Sequence, residues 1–383
     1  MDIYLDNAAT SHPKPKTVTE AVIKALTEEN ANPGRGGHKR AIRAAERIFE
    51  ARERLALLLN AADPFEIAFQ FNCTDALNLA VKGSLNSGDH VIASSAEHNS
   101  VLRVLGEKLK RQEIEVTFID PVDNGRVDPA SYAKAIRKNT ALMILTHASN
   151  VTGALQPVNE VGTVARLNGI RYLVDGAQAM GETNTDVNKI GCDLYAFAGH
   201  KALLGPQGTG GLYIKSGTHL DSYREGGTGS SSESIYQPEE IPERYESGTL
   251  NLPGIAGLFE GAEYVLENRN MIEQKIRTLS QMLYSEIGKI QGVTMYSPDN
   301  MLFRCGIVSF NIADYPSAFV AEQLNESGIC VRGGLHCAPL MHRFLGTEKR
   351  GSVRASVGAF NTEEEILAFI EQIRRICKNA GTA

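Results

Sequence analysis

A lysine and an aspartate that close two successive apolar runs make the most reactive pairing in this chain of 383 residues. The stretch LVDGAQAMG puts Asp175 at the end of one run, with Gln178 three residues beyond in a turn of small residues. The next run leads into AFAGHKALLGPQGTGGLY, where His200 and Lys201 stand in a glycine-flanked turn beside a second glycine-rich turn. A lysine among small apolar neighbours is desolvated, which lowers its pKa and makes it a natural Schiff-base amine. Pyridoxal phosphate chemistry needs such a lysine and an acidic partner for the pyridinium nitrogen. Lys201 and Asp175 supply both.

A phosphate group then needs a helix N-terminus. FNCTDALNLAV offers one, a strand end at Phe71, the turn Asn72-Cys73-Thr74, and an apolar-periodic helix whose free N–H groups or Thr74 hydroxyl suit an anion. Read alone, that turn is an ordinary N-cap. Another strand end leads to Ala96-Glu97-His98-Asn99. A lone histidine is more often structural than catalytic, yet this position suits a ring stacked on a cofactor.

The elements that carry these residues follow from hydropathy. Residues 40–60 repeat apolar side chains at Ile42, Ala45, Ile48, Phe49, Leu55, Leu58 and Leu59, which is helical spacing. Short β-rich runs lie at 66–71, 90–94, 115–119, 141–147, 171–175, 194–198 and 210–214. Helical stretches separate several of them, so βαβ units and a mostly parallel sheet are expected, covered by helices on both faces. Ligands in such sheets bind at the strand ends. Residues 224–248, rich in Gly, Ser and Glu, fit either a disordered linker or a mobile loop over a site. Helices near 254–290 lead to a smaller β/α unit with strands at 306–312, 328–334 and 352–358. Thr362 and Glu365 form a capping box for a last helix ending near Asn379.

A chain of this length exceeds one ordinary core, so two domains are expected. Its 42% hydrophobic and 22% charged residues are those of an average globular protein and exclude disorder, collagen-like structure and a disulfide scaffold. The net charge of −6 argues against nucleic acid. No apolar run has the length of a membrane span, and MDIYLDNAATS lacks the basic end and apolar core of a signal peptide. Six scattered cysteines with no CxxC pair offer neither a disulfide framework nor a zinc site. The expectation is a cytoplasmic, soluble, metal-free enzyme with no membrane partner.

Taken in order, the motifs YLDNAAT (4–10), NPGRGGHKRA (32–41), AEHNS (96–100), SNVTG (149–153), VDGAQ (174–178), GHK (199–201), ESGTLN (246–251), RGGLHCA (332–338) and VRAS (353–356) run nearly end to end. With them the chain resembles the class V aminotransferase family, specifically cysteine desulfurases of the SUF and selenocysteine lyase branch. The resemblance implies an α/β fold of pyridoxal-phosphate type I. A large domain (16–255) would hold a mostly parallel seven-stranded sheet, and 256–383 with 1–15 would form a small α/β domain. The cofactor would be pyridoxal 5'-phosphate and the assembly a homodimer. Sulfur from L-cysteine would pass to an acceptor protein, as in iron–sulfur cluster assembly, with alanine released.

Residue by residue, the resemblance makes Lys201 the Schiff-base lysine and proton shuttle, Asp175 the partner of the pyridine nitrogen and Gln178 that of the phenolic oxygen. His98 would stack on the ring and serve as acid or base. Thr74, His200 and Thr249 would bind phosphate, Thr249 reaching in from the neighbouring subunit, with Cys73 in the same turn. Asn150 and Arg354 would hold the substrate carboxylate, a bidentate task suited to guanidinium, and Arg332 joins the substrate-binding set. Cys337 would be the nucleophile that takes up sulfur as a persulfide. A reactive thiolate needs a lowered pKa and solvent access, and Arg332 and His336 lie nearby in a loop whose two glycines let it move. The family pattern has Ser at Ala198, Gly-Thr-Thr at Asn72-Cys73-Thr74 and His at Leu335. Cys192, Cys305, Cys330 and Cys377 read as structural residues. Other readings stay open: an aminotransferase, a selenocysteine lyase or another β-lyase, and a pyridoxal-binding scaffold with little turnover.

Overall fold

The computed structural model describes residues 2–33, 36–122, 125–229 and 233–380. Gly34 and Arg35 of the NPGRGGHKRA motif, and Ser230–Ser232 of the Gly/Ser/Glu-rich stretch, lie outside the described residues.

The chain begins with β1 (Ile3–Tyr4), α1 (Lys16–Thr27) and α2 (Lys39–Leu59). An alternating series follows: β2 (Ile67–Gln70), α3 (Cys73–Ser84), β3 (Asp89–Ser94), α4 (Asn99–Lys110), β4 (Ile114–Ile119), α5 (Pro129–Lys134), β5 (Thr140–Thr146), α6 (Val158–Leu167), β6 (Arg171–Asp175), α7 (Val187–Ile190), β7 (Leu194–Ala198) and β8 (Gly210–Ile214). The long α8 (Leu252–Ile287) precedes β9 (Val293–Met295), β10 (Ile307–Ile312), α9 (Ser317–Glu326), β11 (Ile329–Cys330), β12 (Arg332–Gly334), α10 (Pro339–Phe344), β13 (Ser352–Ser356) and α11 (Glu363–Ala380).

Strands β2 to β8 form one seven-stranded sheet in the order β2-β8-β7-β6-β5-β3-β4. The contiguous strands β7, β6, β5, β3 and β4 pair in parallel, and β8 alone runs against its neighbours β2 and β7. The carboxyl ends of β2, β3, β5, β6 and β7 therefore share one edge. Both faces are covered: one apolar cluster includes Ile92, Met143, Val174 and Phe197, and another includes Val91, Ile144, Leu173 and Ala196. Alternate residues of one strand feed opposite cores, as in a sheet sandwiched between helices. The second sheet, β12-β13-β10-β9, packs with α11 and the far half of α8 around Phe310 and Phe369. Because α8 is unbroken, the residue 255/256 boundary falls inside a helix that serves both sheets.

Helix α2 corrects the expected apolar stripe. Ala41, Ala44, Ile48, Ala51, Leu55, Leu58 and Leu59 are buried, whereas Ile42 and Phe49 are exposed and Ala45 is only partly covered. Small alanines on the inner face let α2 pack closely on α8, and Phe49 instead meets Phe65 at the surface, ring centroids 5.6 Å apart. The same inner face carries Arg52, whose guanidinium forms a buried ion pair with Glu246. Glu246 Oε1 also accepts the Phe69 N–H at 2.5 Å. Tyr245 is buried beside it, its hydroxyl bonding Leu220. The end of the 224–248 segment is thus anchored to β2 and α2, so the linker reading fails there, while Ile235 and Tyr236 stand exposed. No helix among the described residues is long and apolar enough to cross a membrane.

Candidate active site

The shared carboxyl edge of the large sheet opens into a cavity of about 220 Å³. The turns after five parallel strands feed it: Asn72, Cys73 and Thr74 after β2, His98 after β3, Asn150 after β5, Asp175 and Gln178 at β6, and His200 and Lys201 after β7. The small sheet completes the wall with Arg332, His336, Cys337 and Arg354, and the N-terminal segment adds Ala8 and Ala9. All the expected site residues come together here except Thr249. That residue is exposed and lines a separate depression with Phe71, Arg224 and Ser247.

Lys201 sits in a turn that depends on its small neighbour, since a Cβ on Gly199 would meet Thr209 Oγ1 at 2.1 Å. Desolvation lowers its pKa, against the opposing pull of Asp175, and the cations Arg354 and Arg332 lower it further. His200 is held neutral, pushed down to about 4 by burial and by Lys201 and Lys14. Its buried Nδ1 has no partner among the described residues. Asn72 Oδ1 caps α3 by accepting the Asp75 N–H at 2.9 Å, which leaves the first N–H groups of the helix facing the cavity. Gln178 gives one amide proton to Ala8 O at 2.9 Å and keeps a second.

His98 is the N-cap of α4. Its Nδ1 accepts the Ser100 N–H at 3.0 Å, so in the neutral ring the proton lies on Nε2. Burial lowers its pKa, only partly offset by Asp175. The Ser100 hydroxyl lies 2.7 Å from that of Thr74, tying the ring's anchor to the start of α3.

The Cys73 thiol, at the start of α3, lies 3.6 Å from Asp175 Oδ1. Arg354, nearly fully buried, donates from one guanidinium nitrogen to Asn150 O at 3.0 Å and from another to Asp6 Oδ1 at 2.9 Å. Its Nε has no partner among the described residues. Asn150 Nδ2 donates to the His336 carbonyl, so in this conformation its amide holds the cysteine loop.

One expectation about that loop is corrected. His336 is buried, gives Nε2–H to Ser352 O at 2.9 Å, and is pushed down to about 2 by burial and Arg354, so it carries no positive charge toward Cys337. Of the two neighbours expected to activate Cys337, Arg332 is the one that remains a cation, and it lines the same cavity. At Gly333 a Cβ would lie 2.4 Å from Ser317 O, so glycine there permits close packing on α9, while Gly334 has φ of +130°. His336 and Cys337 adopt φ of +47° and +59°, an uncommon conformation for residues with a Cβ. The Asn99 N–H bonds Cys337 O at 2.7 Å, and the Cys337 side chain is exposed.

Three contributors had no role assigned from sequence: Asp6, which orients Arg354; Ser100, which orients His98; and Glu97. Asp6 and Ser100 lie in the motifs YLDNAAT and AEHNS, and motif membership was their only signal. Glu97 is buried, its Oε1 accepting from Ser94 Oγ at 2.5 Å and Thr146 N at 2.8 Å, while Oε2 has no partner among the described residues. Burial raises its pKa from 4.5 to about 8. Folding then takes up a proton wherever the unfolded chain is ionised, so this group's stability is complete below about 4.5 and is lost as pH rises toward about 8. Glu97→Gln keeps the acceptor without the titration. Its melting temperature relative to the parent is expected to rise steadily from pH 5 to pH 8 in thermal scans. A constant difference across that range refutes the assignment.

The family described as Aminotransferase class-V matches residues 3–369. A probable cysteine desulfurase of Methanothermobacter thermautotrophicus is 37% identical, over 98% of this chain and 94% of its own length. A cysteine desulfurase of Escherichia coli is 32% identical over 99% of this chain and 94% of its own. Among solved structures, the apo cysteine desulfurase of Thermococcus onnurineus superposes with a TM-score of 0.92 at 32% identity, covering 99% of this chain and 95% of that one.

Proposed function

The chain belongs to the class V aminotransferase family and is a cysteine desulfurase, and from that premise we propose how its own residues divide the work. The observation that carries the proposal is an exposed cysteine, Cys337, on the wall of the same cavity as a desolvated lysine and a buried aspartate. An aminotransferase has no need of that cysteine, and the named relatives are desulfurases.

The cavity's polar groups fit pyridoxal 5'-phosphate. The α3 N-terminus, Thr74 and the unpartnered His200 ring suit its phosphate, Asp175 its ring nitrogen, the second Gln178 proton its phenolic oxygen, and Lys201 its aldehyde. When bound, the cofactor supplies an electron sink for the pair left as the substrate loses its Cα proton. Lys201, with its lowered pKa, takes and returns protons at the substrate carbon. His98 would lie against the cofactor's ring, and its Nε2–H is the proton it can give. Arg354, its fork aimed by Asp6 and Asn150 O, meets the substrate carboxylate, with Asn150 and Arg332 beside it. Cys337 attacks the substrate sulfur. The new S–S bond forms as the substrate Cβ–S bond breaks, that electron pair stays with the carbon and is protonated, and alanine leaves while Cys337 keeps the persulfide.

Thr249 lies away from this cavity in its own chain, which supports the reading that it completes the site of a second copy in a homodimer. We keep 16–255 and 256–383 with 1–15 as the domain division, with α8 shared between the two. The persulfide would pass to an acceptor protein in the cytoplasm, feeding iron–sulfur cluster assembly. With L-cysteine and dithiothreitol as acceptor, the purified protein is expected to release alanine and sulfide in equal amounts. A keto acid as the product would overturn the reading.

A further inference from the structure

Asp175 presents two carboxylate oxygens, and its protein donors converge on one of them. The Ala177 N–H reaches Oδ1 at 3.0 Å, and the Cys73 thiol lies 3.6 Å from the same atom. These donors come from different places. Ala177 is in the turn that follows β6, whereas Cys73 is the first residue of α3, beyond β2 in a non-adjacent part of the sheet. A carboxylate turns about a broad, two-fold torsion and is not fixed by its own rotamer preference. A single backbone donor leaves that rotation open, and a second donor on the same oxygen restricts it.

Cys73 is suited to be that donor. Its side chain is buried, and burial together with the neighbouring Asp175 pushes its pKa well above the ordinary thiol value, so the proton stays on sulfur. An S–H beside a carboxylate is a donor to a charged acceptor, the stronger kind of hydrogen bond for this weak donor. The position is also linked to the other end of the cavity, because the helix that Cys73 opens is the one whose N-terminus faces the phosphate region.

We propose that Cys73 is a positioning residue, donating its S–H to Asp175 Oδ1 so that the other carboxylate oxygen is presented to the cofactor's ring nitrogen and the helix start is tied to that contact. The inference rests on the cofactor reading given above. It assigns Cys73 no bond to the phosphate and no part in sulfur transfer.

Cys73→Val keeps the bulk and removes the donor, and Cys73→Ser keeps a donor. Apo forms of the parent and both variants are titrated with pyridoxal 5'-phosphate by equilibrium dialysis, and the visible band of each complex is followed from pH 6 to pH 9. Cys73→Val is expected to bind about 10-fold more weakly, with a displaced band or a displaced pH profile of that band, while Cys73→Ser stays within about 3-fold of the parent. Melting temperatures of the apo forms separate packing from positioning. A valine variant that matches the parent in affinity and spectrum overturns the inference, as does a serine variant as impaired as the valine one. A parent that binds no cofactor overturns the cofactor reading itself, and is distinguished by failing before any variant is compared.

Discussion

Lys201→Ala is expected to abolish covalent attachment of the cofactor and to lower alanine release by roughly 10³-fold or more. The argument begins with the amine's surroundings. Lys201 follows Gly199 and His200 in a turn too tight for a Cβ at residue 199, and it faces Asp175 and Cys73 across the cavity wall. Desolvation and two arginines favour its neutral, nucleophilic form, and no other lysine lines this cavity among the described residues. Lys14, the nearby cation, is spent on Ser11 Oγ at 2.6 Å and His200 O at 2.7 Å. It is not placed to substitute. Borohydride reduction of the reconstituted parent, followed by peptide mapping, should leave the cofactor mass on the peptide containing Lys201 and on no other. In Lys201→Ala that mass should vanish, while dialysis still detects noncovalent binding through the phosphate and ring contacts. Label on a different lysine, or a labelled Lys201→Ala protein, would remove Lys201 from its assigned role.

Why Lys201 and Asp175 were legible from sequence, and Cys73's contact was not, is a matter of range. Strands β6, β7 and β8 begin and end where their apolar runs do, because each run is bounded by glycine or charged residues and buried on both faces. Residues at their ends inherit a position from that local signal. Residues 328–334, read as one strand, divide at Val331 into β11, which pairs in parallel with β1, and β12, which pairs with β13. A two-residue strand such as β1 has no periodicity and is defined only by its partner at Ile329 and Cys330. The pairing of Asp6 with Arg354 spans the chain and left no mark in either motif's spacing. His336 failed as an activating cation for the same reason. Its charge state depends on burial against Arg354 and Ser352, which sequence adjacency to Cys337 does not report.

Cys337→Ser should separate sulfur transfer from everything that precedes it. The backbone at this position is held by groups the substitution leaves alone: Asn99 N–H on Cys337 O, Asn150 on the His336 carbonyl, and the His336 ring on Ser352 O. The positive φ at residues 336 and 337 is therefore imposed from outside and survives a change of one side-chain atom. Serine is nearly isosteric, and the side chain it replaces is exposed, so packing is unaffected. Chemistry is not. A serine hydroxyl, un-ionised at neutral pH, is a far poorer nucleophile toward sulfur than a thiolate. Alanine release is expected to fall by roughly 10³-fold or more, with cofactor affinity and the visible band unchanged. After incubation with L-cysteine, intact-mass analysis should find one extra sulfur atom on the parent and none on the variant. Retention of alanine release would show that another group accepts the sulfur. Loss of cofactor binding in Cys337→Ser would show that this loop supports the cofactor as well as the sulfur, and the division of labour between the two sheets would have to be redrawn.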